Sequence, residues 1–285
     1  MAGGWQRTIS GRKRFGDILA SIAVLLAVLF AIFPIAWTLL TSLKHEADIV
    51  TSVMQYIPRR VTFENYTAIW TRSNFPVLIV NSAVVTAITV VICILTGTLA
   101  AYAVSRYQFS GRRELMLFYL VVRMFPAVMI IIPMFILMRN LGLLDSRLGL
   151  ALAYSALLLP VFIWMMKGFF EAVPPDLEDA ARIDGATRLG AMVRVVLPLV
   201  VSGLVATSVF IAIGAWNEYL FALMLTTSTG SRTWPVGLQL MVGEFQLPWG
   251  SLAAGGMISI IPVVLLFALV QRAMVRGLTA GAVKS

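Results

Sequence analysis

The sequence predicts an all-α polytopic membrane protein with six spans, from its composition, from the length of its apolar runs and from the placement of its charges. Of the 285 residues, 60% are hydrophobic and only 12% are charged, a balance that a soluble chain of this length could not bury. An α-helix needs about 20 apolar residues to cross a bilayer core of about 30 Å. Several runs reach that length, with Lys and Arg scattered between them, so we expect repeated crossings.

Six apolar stretches are long enough to span. They are Ile18–Leu43, Leu78–Val104, Leu115–Met138, Leu148–Phe170, Leu199–Leu225 and Leu252–Val275. The first is too long for a cleaved signal peptide and lacks a small-residue cleavage site, so we keep it as a span. We expect one transmembrane domain over 1–285, with a first span at 18–43, an external loop at 44–77, a core at 78–275 and a tail at 276–285.

The positive residues predict the orientation. With the N-terminus in the cytoplasm, the inner segments hold twice as many Lys and Arg residues as the outer ones. Cytoplasmic loops carry such an excess, so both termini are predicted to be cytoplasmic, in agreement with an even number of spans. No aromatic-basic motif accompanies the net charge of +9, and we therefore expect no nucleic-acid partner.

Two predicted outer loops are long enough to contact an external partner. In the first, a short helix is expected around Phe63–Trp70, with Thr62 as its N-cap. The second, residues 226–250, contains prolines, glycines and two tryptophans. Anchoring of the aromatic side chains at the membrane boundary is the alternative for both loops.

Residues 174–198, here called the charged loop, are predicted to begin with a short helix of about three turns. Pro175 suits its first position, where the missing N–H has no cost. Carboxylates in the first turn favour the positive end of the helix dipole, and three lie there: Asp176, Glu178 and Asp179. Gly185 suits the position just after the helix, because glycine tolerates a left-handed backbone.

One face of this helix is built largely from small side chains. Leu177, Ala180, Ala181 and Asp184 follow the i, i+3, i+4, i+7 spacing of a single face. Small side chains let the backbone of another protein approach closely, so this face indicates a docking surface. An ordinary amphipathic helix lying on the lipid surface is the alternative.

The charged loop resembles the EAA loop of permease subunits in bacterial ABC importers. The run "EDAARIDGA" followed by "VVLP", within Glu178–Pro198, is similar to that motif in its triplet, its glycine and its leucine-proline. Asp179 stands where the family has glutamate, although Glu178 precedes it. No second proline follows Pro198.

Other stretches resemble the carbohydrate-uptake branch of that family, in particular the smaller permease of maltose-type importers. They are "AYAVSRYQFSGRR", "MFPAVMIIIPMFILMRNLGLLDS", "GFFEAVPPDLEDAARIDGA", "WNEYLFAL" and "GLTAGAVKS". The resemblance runs from about Asn81 to the C-terminus. It implies the fold of a type I ABC importer permease, with six transmembrane helices in the inner membrane.

The resemblance also implies partners and coupling residues. The partners are a second permease subunit, a pair of ATP-binding subunits and an extracellular or periplasmic solute-binding protein, and the solute is a sugar or a sugar-related compound. The implied contact with the ATPase uses Glu178, Asp179, Ala180, Ala181, Asp184, Gly185 and Ala186. The tail, 276–285, resembles a segment that reaches between the ATP-binding subunits, although its composition equally suits an unstructured tail.

No cofactor is expected on this chain. It contains no G-x-x-x-x-G-K-[ST] motif for nucleotide phosphates, so ATP and Mg²⁺ are expected on the partner ATPase and the chain is expected not to be an enzyme. Its one cysteine, Cys93, and one histidine, His45, predict neither a metal site nor a disulfide.

Several polar residues within the spans are candidates for a wet translocation pathway. They are Asn81, Ser82, Arg123, Trp216, Asn217, Glu218 and Tyr219. A charge at such depth is costly unless it meets water or a partner. The alternatives are that Arg123 snorkels to the inner surface, that Glu218 bonds backbone groups and that the aromatic residues mark a membrane boundary. Arg123 and Glu218 are expected to differ in depth by about 16 Å, too far for a direct pair.

Two other classes of function are alternatives to an ABC permease. A transporter driven by an ion gradient could use Glu218 as its ion carrier, but it would leave the charged loop unexplained. An intramembrane enzyme would need a nucleophile and a base, or paired acids, at one depth. No predicted span contains a histidine and no two acids match in depth, which disfavours an enzyme.

Overall fold

The computed structural model describes residues 4–51, 55–72, 74–243 and 247–282, except for the side chains of 4–15, 72, 123, 269 and 272–282. Every regular element in these ranges is helical, which confirms the all-α part of the predicted fold class. The α-helices are α1 (Gly4–Ser42), α2 (Glu64–Arg72), α3 (Phe75–Ile92), α4 (Thr98–Arg106), α5 (Arg112–Met124), α6 (Ala127–Asn140), α7 (Arg147–Glu171), α8 (Asp176–Ile183), α9 (Arg188–Ala191), α10 (Leu197–Leu199), α11 (Val201–Trp216), α12 (Leu220–Leu225), α13 (Trp234–Leu240) and α14 (Trp249–Ala282). The other regular elements are a 3₁₀ turn, Glu46–Asp48, and two π-helical segments, Cys93–Gly97 and Met192–Val196.

Four helical stretches are individually long and apolar enough to cross a membrane. They are Gly16–Ser42, Phe75–Arg106, Arg147–Glu171 and Trp249–Ala268, and they overlap the first, second, fourth and sixth predicted spans. The third predicted span coincides with one bent helix pair, Arg112–Val122 and Ala127–Asn140. The fifth was placed too late in the chain, because the second bent pair begins at Arg188 and ends at Trp216. The described part of the chain therefore has four such helices, or up to six if each bent pair is one span.

The two bends have local backbone causes. Helices α5 and α6 meet at 102°, and Phe125 between them is extended, with φ −70° and ψ 130°. The residue before a proline, here Pro126, is disfavoured in the helical conformation. The second pair bends by 79° at Val200, where φ is −101° and ψ is 10°. This bend lies two residues after Pro198, with no second proline in between.

Helix α7 runs through the core of the larger of two compact units, which comprises Trp70–Gly243 and Ser259–Ser285. One buried apolar cluster contains Tyr154 of α7 together with Phe221. A second contains Phe170, near the end of α7, together with Met192 of the charged loop. Both clusters are densely packed. They therefore hold Phe221, near Glu218, and Met192, in the charged loop, against the same helix, α7.

The smaller unit comprises Met1–Ile69 and Glu244–Ile258. The side chains of residues 16–35 are all exposed within the chain, as expected for a helix that faces lipid or a partner. The Glu46 carboxylate accepts the backbone N–H groups of Trp249 (2.7 Å) and Gly250 (2.9 Å) at the start of α14. Thr62 Oγ1 accepts the N–H of Glu64, the first residue of α2, at 3.2 Å. Since α2 begins at Glu64, Phe63 and not the predicted Thr62 directly precedes the helix.

Candidate functional site

The charged loop begins with α8, which is shorter than predicted. It occupies eight residues, Asp176–Ile183, or about two turns instead of three. Pro175, predicted at its first position, lies just before it as the N-cap residue, and Asp184 follows it as the C-cap residue. The N–H of Gly185 bonds to Arg182 O at 3.1 Å, and the N–H of Ala186 bonds to Ala181 O at 3.0 Å. Gly185 has φ +89°, which completes a Schellman motif and confirms the predicted glycine position.

Glu178 points into the protein, unlike the other acids of α8. It is 9% exposed, whereas Asp176, Asp179 and Asp184 are exposed. Its carboxylate forms an ion pair with Arg106 at the end of α4 and accepts a hydrogen bond from the Tyr102 hydroxyl at 2.7 Å. Glu178 was predicted among the residues that contact the ATPase, and in this chain its carboxylate is already bonded to Arg106 and Tyr102. Asp179 is the acid of the triplet that reaches the surface.

The exposed side of α8 combines small and apolar residues. Ala180 is exposed, and Ala181 and Ala186 are half-buried. Ile183 is 86% exposed and Leu177 is 43% exposed. Two exposed apolar side chains on one charged helix favour a contact surface for a protein or for lipid. The sequence reading missed Ile183, although its offset of three from Ala180 was a usable signal.

The part of the charged loop that follows α8 also contacts the C-terminal end of α4. Thr187 Oγ1 accepts the N–H of Gly190 at 3.0 Å, which caps α9. The Arg188 guanidinium lies 5.4 Å from the centre of the ring of Tyr107. Tyr107 is the residue that directly follows α4. This cation–π contact adds a second attachment between the loop and the end of α4.

Asn81 and Ser82, near the start of α3, are both buried and bond to the segment between α12 and α13, here called the 226–233 loop. Asn81 Nδ2 donates to the carbonyl oxygens of Thr229 (2.9 Å) and Arg232 (2.8 Å). Ser82 Oγ accepts the N–H of Trp234 at 2.8 Å. Asn81 and Ser82 were predicted as pathway candidates, and in this chain both side chains are bonded to this loop.

Glu218 lies between α11 and α12 and caps the second of them. Its two carboxylate oxygens accept the N–H groups of Phe221 (2.9 Å) and Ala222 (3.2 Å), which confirms the alternative that it satisfies backbone groups. It also lines a cavity of about 350 Å³. The other residues lining that cavity are Val122, Phe125, Ala127, Ile130, Tyr154, Leu157, Leu158, Gly214 and Phe221.

The neighbours of Glu218 are placed differently from one another. Trp216 is 5% exposed, and its Nε1 donates to Ser259 O at 3.2 Å, so it is a buried anchor for α14. Asn217 Nδ2 donates to Ile213 O at 2.9 Å, and Tyr219 is half-buried. The Arg123 side chain lies outside the described residues, so its predicted role stays a prediction.

Asp145 was missed by the sequence reading. It precedes α7 and has φ +54°. Its Oδ1 accepts the N–H groups of Thr227 (2.8 Å) and Ser228 (2.9 Å) and the hydroxyl of Ser231. Burial alone would raise the pKa of this carboxyl, but the bonds from Ser228, Ser231 and Thr227 outweigh it and hold the pKa well below its usual range. Its position just before a helix could have marked Asp145 as a candidate. Its partners are more than 80 residues away, so the sequence pattern does not predict them.

Comparison with known proteins gives the family. The profile described as "Binding-protein-dependent transport system inner membrane component" matches residues 93–280. The sulfoquinovosyl glycerol transport system permease protein SmoH of Agrobacterium fabrum is 38% identical over 269 residues, covering 94% of each chain. The trehalose transport system permease protein SugB of Mycobacterium tuberculosis is 39% identical over 261 residues, covering 91% of this chain and 94% of the relative.

The fold has a counterpart among solved structures. A chain of a bacterial ABC transporter involved in the import of the acidic polysaccharide alginate superposes with a TM-score of 0.78 at 25% identity, covering 92% of this chain and 97% of that one. Transport subunits of this kind are not enzymes, and the alternative of a transporter driven by an ion gradient is wrong for this chain. The chain is a multi-pass permease of the inner membrane, and it belongs to the family of inner-membrane components of binding-protein-dependent transport systems.

Proposed function

We propose that this chain forms half of the translocation pathway of an ATP-driven importer for a sugar or sugar-related solute, and that the charged loop couples it to a separate ATPase. The names of the relatives SmoH and SugB refer to a sulfoquinovosyl glycerol and to trehalose, which supports a carbohydrate solute. The family description, with its binding protein, supports a periplasmic or extracellular solute-binding partner.

The observation that carries the proposal is the exposed face of α8. Asp179, Ala180, Asp184 and Gly185 all reach the surface, with Ala181 and Ala186 at its edge. Ile183, at 86% exposure, adds an apolar anchor of the kind that dominates binding energy at interfaces. A compact helix with a stable C-terminal cap can transmit a push without unwinding, which is what coupling requires.

The remaining partners follow from this arrangement. A half pathway requires a second permease subunit, and the pair requires a dimer of ATP-binding subunits that holds ATP and Mg²⁺. The ATPase lies in the cytoplasm, so the charged loop lies there too. With six spans, counting each bent pair as one, both termini are then cytoplasmic. Glu218 and Tyr219 remain the best-placed candidates for the pathway, since Glu218 borders the cavity next to the α5–α6 bend.

The test uses two matched glycines. Gly185 and Gly111 have φ of +89° and +87°, and a Cβ at either would meet no atom of this chain within 4 Å. A valine at either position carries the same strain of a left-handed backbone, about 1–2 kcal/mol. Only Gly185 lies on the docking face. In the complete importer reconstituted in liposomes, we expect Gly185→Val to abolish solute uptake and Gly111→Val to keep most of it, with equal membrane insertion.

Two results would contradict the proposal. Normal uptake by Gly185→Val would remove the charged loop from the coupling contact. Uptake by the isolated chain, without any nucleotide-hydrolysing partner, would remove the ATPase altogether. Purification in mild detergent, followed by identification of the associated chains and of the solute that stimulates ATP hydrolysis, would name the partners and the solute.

A further inference from the structure

The buried ion pair between Arg106 and Glu178 joins two parts of the chain that are 72 residues apart. Their side chains are each only 11% exposed. Arg106 also donates from Nη2 to Val173 O at 2.9 Å, just before α8 begins. Tyr102, one turn earlier on α4, donates to the second carboxylate oxygen of Glu178 at 2.7 Å. Both oxygens of the carboxylate are thus bonded to α4.

This cluster is unusual among the ion pairs of the described chain. Glu171 pairs with Arg112 and Lys167 at the same end of the helices, but its side chain is 41% exposed. An exposed pair contributes little to stability. A pair shielded from water is different, because removing one partner leaves a charge without compensation. The Arg106–Glu178 pair therefore fixes geometry in a way that the Glu171 pairs do not.

The cluster also gives α8 a third attachment. The chain itself joins α8 to α7 on one side and to α9 on the other. Tyr102 packs edge-on against Phe170, near the end of α7, with ring centroids 5.6 Å apart. The first turn of α8 and the ends of α4 and α7 are consequently bonded and packed as one piece, whereas the distal end of α8, at Ile183, is exposed.

We propose that Arg106, Tyr102 and Glu178 form a positioning lock that passes displacement of α8 directly to the helix Phe75–Arg106. The inference rests on the proposed function of α8. Glu178 is a positioning residue in this account and does not touch the ATPase; it acts through Arg106. Breaking the lock lets α8 move without α4, so ATP is hydrolysed with less solute transported.

The test measures solute transported per ATP hydrolysed by the complete reconstituted importer. We expect Glu178→Gln to lower this ratio by about fivefold or more, the lower range of typical coupling strengths, with the complex still assembled. Tyr102→Phe, which keeps the ion pair, is expected to lower it less. The exchanged pair Arg106→Glu with Glu178→Arg should restore much of the ratio, whereas either single reversal should not. Glu171→Gln is the matched control and should retain the wild-type ratio.

The outcomes separate the lock from the docking role. A wild-type ratio for Glu178→Gln overturns the lock, as does a failure of the exchanged pair to exceed the single reversals, since a direct contact with the ATPase would not tolerate the exchange. A purely structural role would lower assembly or thermal stability and leave the ratio unchanged, and this result also overturns the lock.

If Gly185→Val transports normally, the proposed function fails. If Gly185→Val is inactive while Glu178→Gln is normal, only the lock fails.

Discussion

The ring of Phe169 in α7 lies directly against the backbone of Gly203 in α11. A Cβ on residue 203 would lie 2.3 Å from Phe169 Cγ, a distance that real contacts do not show. Gly203 thus lets the first turn of α11, just after the 79° bend, pack on α7.

Gly203→Ala is expected to destabilise the protein by about 1–3 kcal/mol, the usual cost of overpacking. The melting temperature in detergent should fall accordingly. Gly168→Ala is the control, because Gly168 also lies in a helix but a Cβ there would meet nothing within 4 Å. Equal melting temperatures for the two variants would show that α11 can shift away from Phe169 without cost.

Asn81→Ala is expected to loosen the 226–233 loop. It removes the donor to the Thr229 and Arg232 carbonyl oxygens, and an unsatisfied buried group costs about 1–3 kcal/mol. Hydrogen exchange should speed up in residues 226–233 and leave α8 unchanged. Thr96→Ala is the control, since Thr96 is exposed and bonds only to Ile92 of its own helix. Unchanged exchange in Asn81→Ala would mean that the loop is held by its other bonds.

Asp145 should make the stability of the 226–233 loop depend on pH. Its folded-state pKa lies below the value of about 3.9 expected when unfolded. Its contribution is therefore fully present above that unfolded pKa and is lost as the pH falls through the lower folded pKa. The melting temperature of Asp145→Asn should be below that of the wild type at pH 7, with the gap closing below about pH 4. A constant gap down to pH 3 would contradict this titration.

Glu218→Ala is expected to destabilise α12 by about 0.5–2 kcal/mol, as the loss of a helix cap does. The N–H groups of Phe221 and Ala222 lose their acceptor. Glu218→Gln keeps one side-chain oxygen and should recover part of the loss. The measurement is the melting temperature in detergent, and equal values for Ala and Gln would show that the cap contributes nothing.

Local patterns in the sequence were sufficient to predict the long apolar helices but not the short ones, such as α13 (Trp234–Leu240), which lies inside the predicted outer loop. The apolar lengths predicted where the spanning stretches lie, and the glycine at 185 predicted where α8 stops. The bend at Phe125 was not predicted, although Pro126 marked it, because proline within a span is also compatible with a straight or gently kinked helix. A sharp bend at this position depends on how the neighbouring helices pack. The spacing of apolar residues in the sequence does not predict that packing.

Partners far apart in the sequence were also beyond prediction. Glu178 was assigned to the docking surface with its neighbours, and nothing in its spacing reveals that Arg106 faces it. Asn81 and Ser82 were predicted as pathway candidates, and only the folded chain shows them bonded to the 226–233 loop. Buried polar groups find partners within the fold, but which partner depends on how the helices are arranged.

The helix from Phe75 to Arg106 is fastened at both extremities, by Asn81 and Ser82 to one loop and by Arg106 to another. Its 32 residues extend about 48 Å at 1.5 Å per residue. The wide π-helical turn at Cys93–Gly97 interrupts its regular hydrogen-bond ladder part-way along. A twist applied at one end of the helix is therefore either transmitted to the other end or absorbed at that turn. The five residues Cys93–Gly97 thus determine how much of the twist crosses the membrane.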